Sequence, residues 1–360
     1  MTRVLFAGGG TAGHVEPALA VARQWRAQHP DSKITFVGTR EGLEARLVPA
    51  AGFDLRFITK VRIARRISPS LLIAPFALLR SVAQSVVLMR KADLVIGFGG
   101  YVSAPAYLAA ALTRTPIVIH EANARPGIAN RLGALFTAHT AIAHPIDSGK
   151  LSHALLAGLP LREDVVSAYR SASGNWEQAR TSAKSALGFD SAKPLIFIFG
   201  GSQGSVALNA VIAEARSELC AGGIQILHGL GARNASPSAM AGYQGHGYIA
   251  DMATAYLAAD LVISRSGAVT CAEVNTLGRF ALFIPLPIGN GEQELNARSL
   301  VLQSRARILA QSQFTPSWLS AHIKELLSQS QSAPIAGSDV DINAASKMVS
   351  LMEHALHGGK

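Results

Sequence analysis

The residues best suited to chemistry in this sequence lie around a glycine turn in the run LVISRSGAVTCAE, residues 261–273. An apolar strand pattern leads into Arg265, Ser266 and Gly267, and a helical pattern follows. Such a turn leaves the first N–H groups of the helix unpaired, so that they and the helix dipole can stabilise an anion. One turn further along, the Glu273 carboxylate could accept hydrogen bonds from two adjacent hydroxyls, as in a ribose. The run indicates a nucleotide site, or alternatively a helix capped by Ser266 with solvated charges around it.

A second glycine turn, GGGTAGH at residues 8–14, follows a predicted strand at Val4–Ala7, and Pro17 is predicted to open a helix that ends near His29. The pattern is similar to a dinucleotide-binding turn, but the next predicted strand, residues 33–37, ends without the acidic residue that would hold an NAD ribose. The glycines could instead admit another substrate. His14 has a neutral form at cytoplasmic pH and suits a general base, although a structural role at the helix start is the alternative.

Strands are expected to alternate with helices along the whole chain, which predicts parallel, doubly wound sheets whose ligands bind beyond the carboxyl ends of the strands. In the first half, strands are predicted at 55–58, 94–98, 116–120 and 140–143. Polar residues follow two of them: Tyr101 in one turn, and His120, Glu121 and Asn123 in another. We expect these side chains to meet at the same sheet edge as the first glycine turn.

The second half repeats this arrangement. A strand at Leu195–Phe199 leads into a third glycine turn at 200–205, and further strands are predicted at 224–228, 261–264 and 281–285. After the last of these, Glu292 and Gln293 combine acceptors and donors suited to sugar hydroxyls, or are simply good first-turn helix residues. Polar residues 171–184 predict an irregular connection between two domains, residues 328–341 a mobile connection, and 343–357 a final helix.

Size and composition agree with a two-domain α/β enzyme. The chain has 360 residues, which exceeds the length at which a single hydrophobic core usually stops growing. Of these residues, 49% are hydrophobic and 16% are charged, as in globular α/β enzymes. Its two cysteines do not predict a disulfide framework and fit a reducing compartment.

The N-terminal apolar run breaks at the first glycines and makes a poor secretion signal. The uncharged run 94–113 contains glycines and a proline that favour strand, turn and helix over a membrane span.

The net charge of +10 is unevenly distributed, because the whole excess lies in residues 1–160. Between Asp54 and Asp93 the sequence has basic and apolar residues but no acidic ones. This segment indicates contact with an anionic membrane surface. Nucleic acid is the competing partner, but aromatic residues for base stacking are scarce, and an ordinary core helix with a basic face is a further alternative.

Taken together and in order, several motifs resemble the MurG family, bacterial transferases that move N-acetylglucosamine from UDP-N-acetylglucosamine to lipid I. They are GGGTAGHVEPALA, GFGGYVSAP, HEANARPGIANR, GGSQGS, GYIADM, RSGAVTCAE and GEQELNA. The resemblance implies the GT-B architecture: two Rossmann-like, doubly wound parallel-sheet domains facing each other across a cleft. It implies an N-terminal acceptor-binding, membrane-associating domain at 1–161, a donor-binding domain at 162–341, and a C-terminal helix at 342–360 that returns to the first domain.

The resemblance also implies roles for individual residues. His14 is the first candidate for the catalytic base, followed by Glu121 and His120. The acceptor side would include Thr11, His14, Tyr101 and Asn123. The donor side would include Thr11, Ala12, Gly13, Asn123, Arg162, Gly201, Ser202, Tyr248, Ile249, Arg265, Ala268, Val269, Thr270, Glu273, Glu292 and Gln293, with Tyr248 and Ile249 at the uracil, Glu273 at the ribose, and Glu292 and Gln293 at the sugar.

The implied reaction is an inverting transfer to the muramyl 4-hydroxyl of lipid I, giving lipid II for peptidoglycan at the cytoplasmic face of the membrane. No carboxylate trio for a metal is visible in the sequence, so no cofactor is required, while a divalent ion remains open. Cell-wall synthesis or division proteins are expected partners, and nucleic acid is not. Rival functions are a GT-B transferase with another lipid acceptor, a UDP-N-acetylglucosamine epimerase, or a non-catalytic membrane scaffold. Ala12, Ala122, Leu159 and Glu292 depart from the commoner family pattern, which bears mainly on sugar selectivity.

Overall fold

The computed structural model describes residues 1–61, 70–235, 237–287 and 291–358, with only the backbone of 70–74. The chain divides into two compact units. The N-terminal unit comprises Met1–Arg162 and Asp341–Lys360, and the C-terminal unit comprises Glu163–Val340. Each unit is a parallel β-sheet with helices on its faces.

The N-terminal unit alternates strands and helices from its first residues. Its elements in chain order are β1 (Arg3–Ala7), α1 (Ala12–Gln28), β2 (Lys33–Gly38), α2 (Glu44–Ala50), β3 (Asp54–Phe57), α3 (Ser70–Met89), β4 (Leu94–Gly97), α4 (Ser103–Thr113), β5 (Ile117–Glu121), α5 (Ile128–Gly133), β6 (Thr140–Ile142), a 3-10 turn (Lys150–His153) and β7 (Leu155–Leu156).

Among the described residues of this unit, seven strands pair in parallel in the order β3-β2-β1-β4-β5-β6-β7. The strand order reverses direction between β1 and β4, so the turns after these two strands diverge and leave a crevice at the carboxyl edge of the sheet. The GGGTAGH turn follows β1, the turn with Tyr101 follows β4, and the turn with Asn123 follows β5. The predicted convergence of these three turns at one edge is therefore confirmed.

The C-terminal unit is built in the same way. Its elements are α6 (Glu163–Ala172), α7 (Trp176–Ala186), β8 (Leu195–Phe199), α8 (Val206–Ala221), β9 (Gln225–Gly229), β10 (Tyr243–His246), α9 (Met252–Ala258), β11 (Leu261–Ser264), α10 (Ala268–Thr276), β12 (Ala281–Phe283), α11 (Glu292–Leu302), β13 (Ala306–Ile308) and α12 (Pro316–Ser332).

In the part of this unit that the structure describes, six strands pair in parallel in the order β10-β9-β8-β11-β12-β13. The reversal lies between β8 and β11, whose following turns are the third glycine turn and the Arg265–Gly267 turn. As in the first unit, the reversal of strand order leaves a crevice at the carboxyl edge of the sheet. This crevice lies at the run 261–273, which the sequence analysis selected as a nucleotide site.

The last helix, α13 (Ala344–His357), belongs to the N-terminal unit. Met348 and Met352 are fully buried in the same apolar cluster as Trp25 of α1, and His29 Nε2 lies 2.9 Å from Glu353 Oε1. This cluster covers one face of the first sheet.

Two predicted elements are wrong, and the connection predicted at 328–341 begins later, because α12 continues to Ser332. The first helix begins at Ala12 rather than at Pro17, because the Thr11 carbonyl already accepts the N–H groups of His14 and Val15. Pro17 lies inside this helix, where it has no N–H to donate to the Gly13 carbonyl. Residues 171–184 are largely helical rather than irregular. The side chain of Asn175 caps α7 by accepting a hydrogen bond from the Gln178 N–H, and both α6 and α7 belong to the second unit.

The uncharged run 94–113 forms β4, a turn and α4, as predicted. Across the described residues, no helix has both the length and the apolar character needed to cross a bilayer. Part of the basic segment, residues 62–69, lies outside the described residues.

Candidate active site

His14 lies in the first turn of α1, beside the turn that follows β1. Its Nδ1 is 3.2 Å from the Gly9 carbonyl oxygen and 3.2 Å from Thr11 Oγ1. Because a carbonyl oxygen can only accept, Nδ1 carries the proton and Nε2 keeps its lone pair. Burial lowers the pKa of His14 below the ordinary value, partly offset by the carboxylates of Glu121 and Glu44. A neutral imidazole with an unprotonated Nε2 is the form that a general base requires.

His120, the third candidate base, is completely buried in β5. Its Nε2 donates to the Gly158 carbonyl at 2.8 Å, and its Nδ1 has no hydrogen-bond partner among the described residues. Burial lowers its pKa to about 4. This histidine is therefore packed inside the unit and is closed off from solvent.

Glu121, the second candidate base, is 2% exposed and organises the turn that follows β5. Its Oε1 accepts from the backbone N–H and the side-chain amide of Asn123 at 2.9 and 3.2 Å. Its Oε2 accepts from the Gly127 N–H and from Asn130 Nδ2, each at 2.9 Å. Carboxylate lone pairs committed to four donors are poorly available to remove a substrate proton. Asn130, which the sequence analysis did not select, is held in turn by the Tyr107 hydroxyl at 2.8 Å.

Glu44 is a second residue that the sequence analysis missed. It starts α2 and is completely buried. Its carboxylate accepts from the Gly10 N–H at 2.9 Å, the Thr39 N–H at 2.9 Å and the Tyr101 hydroxyl at 3.0 Å. An N–H of the first glycine turn is thus already satisfied by the protein. Glu44 reaches the Thr39 N–H just after β2, but its carboxylate holds the turns rather than a ribose, which argues against a dinucleotide site here.

Tyr101, a predicted acceptor-binding residue, packs beside the first glycine turn. Its hydroxyl contacts Glu44 and lies 2.8 Å from Thr39 Oγ1. Burial raises the pKa of Tyr101 to about 12, so it stays a neutral hydrogen-bond donor. Its ring lies close against Gly10, where an added Cβ would come within 2.7 Å of a ring carbon. Thr11 is exposed at the mouth of the turn, with Ala12 and Gly13 partly buried behind it.

The start of α10 in the C-terminal unit has the features of an anion site. The first intrahelical bond runs from the Cys271 N–H to the Gly267 carbonyl, so the N–H groups of Ala268, Val269 and Thr270 point out of the helix end without an intrahelical partner. A Cβ built on Gly267 would meet nothing within 4 Å, so the approach is open. The Ser266 hydroxyl is fully buried and has no hydrogen-bond partner among the described residues. Buried hydroxyls normally have a hydrogen-bond partner, so we expect a ligand or a water molecule to bond to Ser266.

Arg265 braces the turns around this helix start. Its guanidinium donates to the carbonyls of Ile284 and Pro285, at 2.9 and 3.2 Å, and to Ser205 Oγ and Gln311 Oε1, at 3.0 and 2.6 Å. Burial lowers its pKa. Ser205 begins α8 as its N-cap, so Arg265 ties the third glycine turn to the turn after β12.

The donor-side candidates not yet described lie in the C-terminal unit, except for Arg162. Glu273 is 3% exposed and its Oε2 accepts from the Tyr256 hydroxyl at 2.9 Å. Gln293 Oε1 accepts from the Leu286 N–H at 2.9 Å, closing the loop after β12. Tyr248 is half-exposed, and Ile249 covers the end of β9. Gly201 and Ser202 lie in the turn between β8 and α8, Glu292 is the first residue of α11, and Arg162 ends the main segment of the N-terminal unit.

Sequence reasoning also missed Asn296, which is completely buried in α11. Its side-chain amide contacts the Ser266 carbonyl at 3.4 Å, so α11 helps to fix the turn that starts α10. No group of three or more His, Cys, Asp or Glu side chains within the described ranges is arranged as a metal site.

Two parallel-sheet, Rossmann-like units define the GT-B fold class. Comparison with known proteins specifies the family. Residues 4–142 match the family model for the glycosyltransferase family 28 N-terminal domain, and residues 195–354 match that for the family 28 C-terminal domain. The chain belongs to glycosyltransferase family 28.

Curated relatives span nearly the whole chain. A protein of Frankia casuarinae is 42% identical over 98% of this chain and 95% of its own length. One of Saccharopolyspora erythraea is 45% identical over 87% of this chain and 82% of its own length. Both are named UDP-N-acetylglucosamine–N-acetylmuramyl-(pentapeptide) pyrophosphoryl-undecaprenol N-acetylglucosamine transferase. The crystal structure of MurG from Acinetobacter baumannii aligns with a TM-score of 0.70 at 30% identity, over 98% of this chain and 99% of that one. The predicted fold class and family resemblance are confirmed.

Proposed function

We propose that this chain transfers N-acetylglucosamine from UDP-N-acetylglucosamine to the muramyl 4-hydroxyl of lipid I, giving lipid II for peptidoglycan synthesis. The names of its relatives support this substrate pair. The observation that carries the proposal is the open start of α10, beside which the buried Ser266 hydroxyl has no hydrogen-bond partner among the described residues. A helix start of this kind is a binding site for a diphosphate.

On the donor side, the N–H groups of residues 268–270 and the Ser266 hydroxyl bind the diphosphate of UDP. Gly201 and Ser202 approach the same group from the turn after β8, which neighbours β11 in the sheet. Tyr248 and Ile249 contact the uracil. The Glu273 carboxylate accepts hydrogen bonds from the ribose hydroxyls. Glu292 and Gln293 at the start of α11 contact the sugar hydroxyls.

The reaction is a single displacement with inversion at the anomeric carbon. His14 Nε2 accepts the proton of the muramyl 4-hydroxyl while its oxygen forms the new bond to the anomeric carbon. The bond from that carbon to the phosphate oxygen breaks, and UDP leaves. The charge that grows on the diphosphate is stabilised by the N–H groups at the start of α10, and preorganised donors of this kind are worth about 3 kcal/mol each.

The N-terminal unit binds the acceptor and associates with the anionic cytoplasmic face of the membrane. Helix α3 carries the exposed apolar side chains Phe76, Leu79 and Val87. Beyond its C-terminal end, Arg90 and Arg114 line a surface cavity of about 590 Å³. Apolar side chains flanked by arginines suit a surface that inserts shallowly between anionic headgroups.

The test of this function is transfer of labelled N-acetylglucosamine by the purified chain, with a lipid I analogue, diacylglycerol or no acceptor. We expect a labelled disaccharide lipid with the lipid I analogue only. Transfer to diacylglycerol would favour the rival lipid acceptor, and formation of an epimerised sugar nucleotide without disaccharide would favour the epimerase. Either result would contradict the proposal.

A further inference from the structure

The buried carboxylate of Glu44 lies at the centre of a hydrogen-bond network that joins three turns of the N-terminal unit. It accepts from the backbone N–H groups of Gly10 and Thr39, from the Tyr101 hydroxyl, and from Thr39 Oγ1 at 3.3 Å. Gly10 belongs to the turn after β1, Thr39 follows β2, and Tyr101 lies in the turn after β4. Hydrogen bonds to an ionised carboxylate are stronger than neutral ones, so this network fixes the three turns relative to one another.

The chain leaves space for this carboxylate. A Cβ on Gly42 would lie 2.1 Å from Glu44 Oε2, and a Cβ on Gly38 would lie 2.4 Å from Glu44 Cγ. Any other residue at these two positions would displace the Glu44 side chain. The backbone around Glu44 is therefore shaped to hold its buried side chain, because both glycines leave the space that this side chain occupies.

The network reaches His14 through one peptide group. The N–H of Gly10 and the C=O of Gly9 are the two ends of the same planar peptide unit. Glu44 Oε2 holds its N–H end at 2.9 Å, and His14 Nδ1 donates to its C=O end at 3.2 Å. A peptide held by a carboxylate at one end cannot rotate freely, so the imidazole that bonds to its other end is held as well. This fixes both the orientation and the tautomer of the ring.

We propose that Glu44 is a positioning residue that acts through the Gly9–Gly10 peptide to hold His14 with its Nε2 lone pair available to the acceptor hydroxyl. The inference rests on the proposed function, because it assigns Glu44 to the base of that reaction. Glu44 touches no reacting atom. It does for His14, with a peptide in between, what a carboxylate bonded directly to a histidine does in other general-base sites.

The negative charge of Glu44 has an effect separate from its hydrogen bonds. Two carboxylates face His14, Glu121 from the turn after β5 and Glu44 from the start of α2, and both raise its pKa against the lowering by burial. Removing the charge of Glu44 must therefore lower the pKa of His14. Since the base acts in its neutral form, the acid limb of the pH–rate profile then moves to lower pH.

The experiment compares Glu44→Gln with the parent and with Glu41→Gln, a matched loss of charge at an exposed side chain paired with Lys60. We expect Glu44→Gln to lower kcat about tenfold or more, the scale of a misaligned base, with the KM for UDP-N-acetylglucosamine close to that of the parent. The Tm should fall, because the amide nitrogen of glutamine cannot accept from the buried donors that face it. The acid limb of kcat/KM for the acceptor should move to lower pH. Glu41→Gln should match the parent in all of these measurements.

A Glu44→Gln variant with the parent's kcat, or one whose acid limb does not move, overturns the inference. So does a joint change in Tm, donor KM and kcat, which would mean general damage to the fold. If Glu44→Gln does not fold, Thr39→Val replaces it: this change removes one donor and keeps the charge, so it should lower kcat without moving the acid limb. An unchanged kcat in Thr39→Val would then refute the inference. A parent that makes no disaccharide lipid would refute the proposed function instead.

Discussion

Acidification from pH 7 to pH 5 should destabilise the N-terminal unit through His120. This side chain is completely buried, and burial lowers its pKa from the ordinary 6.5 to about 4. Between these two values the unfolded chain binds a proton that the folded chain does not. The stabilisation from keeping His120 neutral is therefore fully present above pH 6.5 and is lost as the pH falls towards 4.

The magnitude follows from the size of the shift. Each pH unit in this window is worth about 1.4 kcal/mol for one histidine. From pH 7 to pH 5, only the part below 6.5 counts, which gives a loss of about 2 kcal/mol in the free energy of unfolding. Such a loss is a large part of the stability of an ordinary domain.

The assay is native-state hydrogen exchange with mass spectrometry at both pH values, corrected for the intrinsic exchange rate, because it reports each unit separately. The control variant is His120→Gln, whose side-chain amide can still donate to the Gly158 carbonyl that His120 Nε2 contacts. We expect the variant to lose about 2 kcal/mol less than the parent between pH 7 and pH 5. Equal losses in parent and variant would refute the reasoning, because His120 would then titrate alike in the folded and unfolded chains.

Three further predictions concern the candidate site. His14→Ala should lower turnover about a hundredfold or more while the Kd for UDP-N-acetylglucosamine, measured calorimetrically, stays within about twofold; normal turnover would remove His14 as the base. Ser266→Ala should weaken donor binding about tenfold, since one hydrogen bond to a charged group is worth about 1.5 kcal/mol, yet leave the Tm without donor unchanged or raised, because a buried unpartnered hydroxyl is removed; an unchanged donor Kd would show that Ser266 does not face the diphosphate. Arg265→Lys should destabilise the C-terminal unit in urea denaturation by about 2 kcal/mol, since one ammonium cannot replace four directed bonds; full stability would contradict the bracing role.

Much of the fold could be predicted because it depends on local patterns. Apolar strand runs that end in glycine turns identified most of the long strands, and their alternation with helices predicted parallel sheets. The predicted β8 and β11 agree with the structure to the residue. The short edge strands β7 and β13 were missed because edge strands bury little surface and so lack a continuous apolar run.

The helices at 163–186 were missed for a different reason. Their serine-containing sequences have few buried apolar positions, such as Val165 and Ala172, since most of each helix surface faces solvent. Polar composition was taken as evidence of a loop, while the capping residue Asn175, a local signal of a helix start, was not used.

In the candidate site, sequence patterns found residues next to glycines but not the side chains that hold them. Glu44 lies in the sequence far from both Gly10 and Tyr101, and only the folded sheet brings the three together. The reason to rank His14 above Glu121 was also inaccessible, because only the hydrogen bonds show that the Glu121 oxygens are occupied. The available signal for Glu44 was an acidic residue shortly after two glycines, Gly38 and Gly42.

The most direct test of the account is a crystal structure of the chain with UDP-N-acetylglucosamine. It should show diphosphate oxygens about 3 Å from the Ser266 hydroxyl and from the N–H groups of residues 268–270, with the uracil beside Tyr248. A diphosphate bound instead at the Gly8–Thr11 turn, or a start of α10 that stays empty at saturating donor, would contradict it.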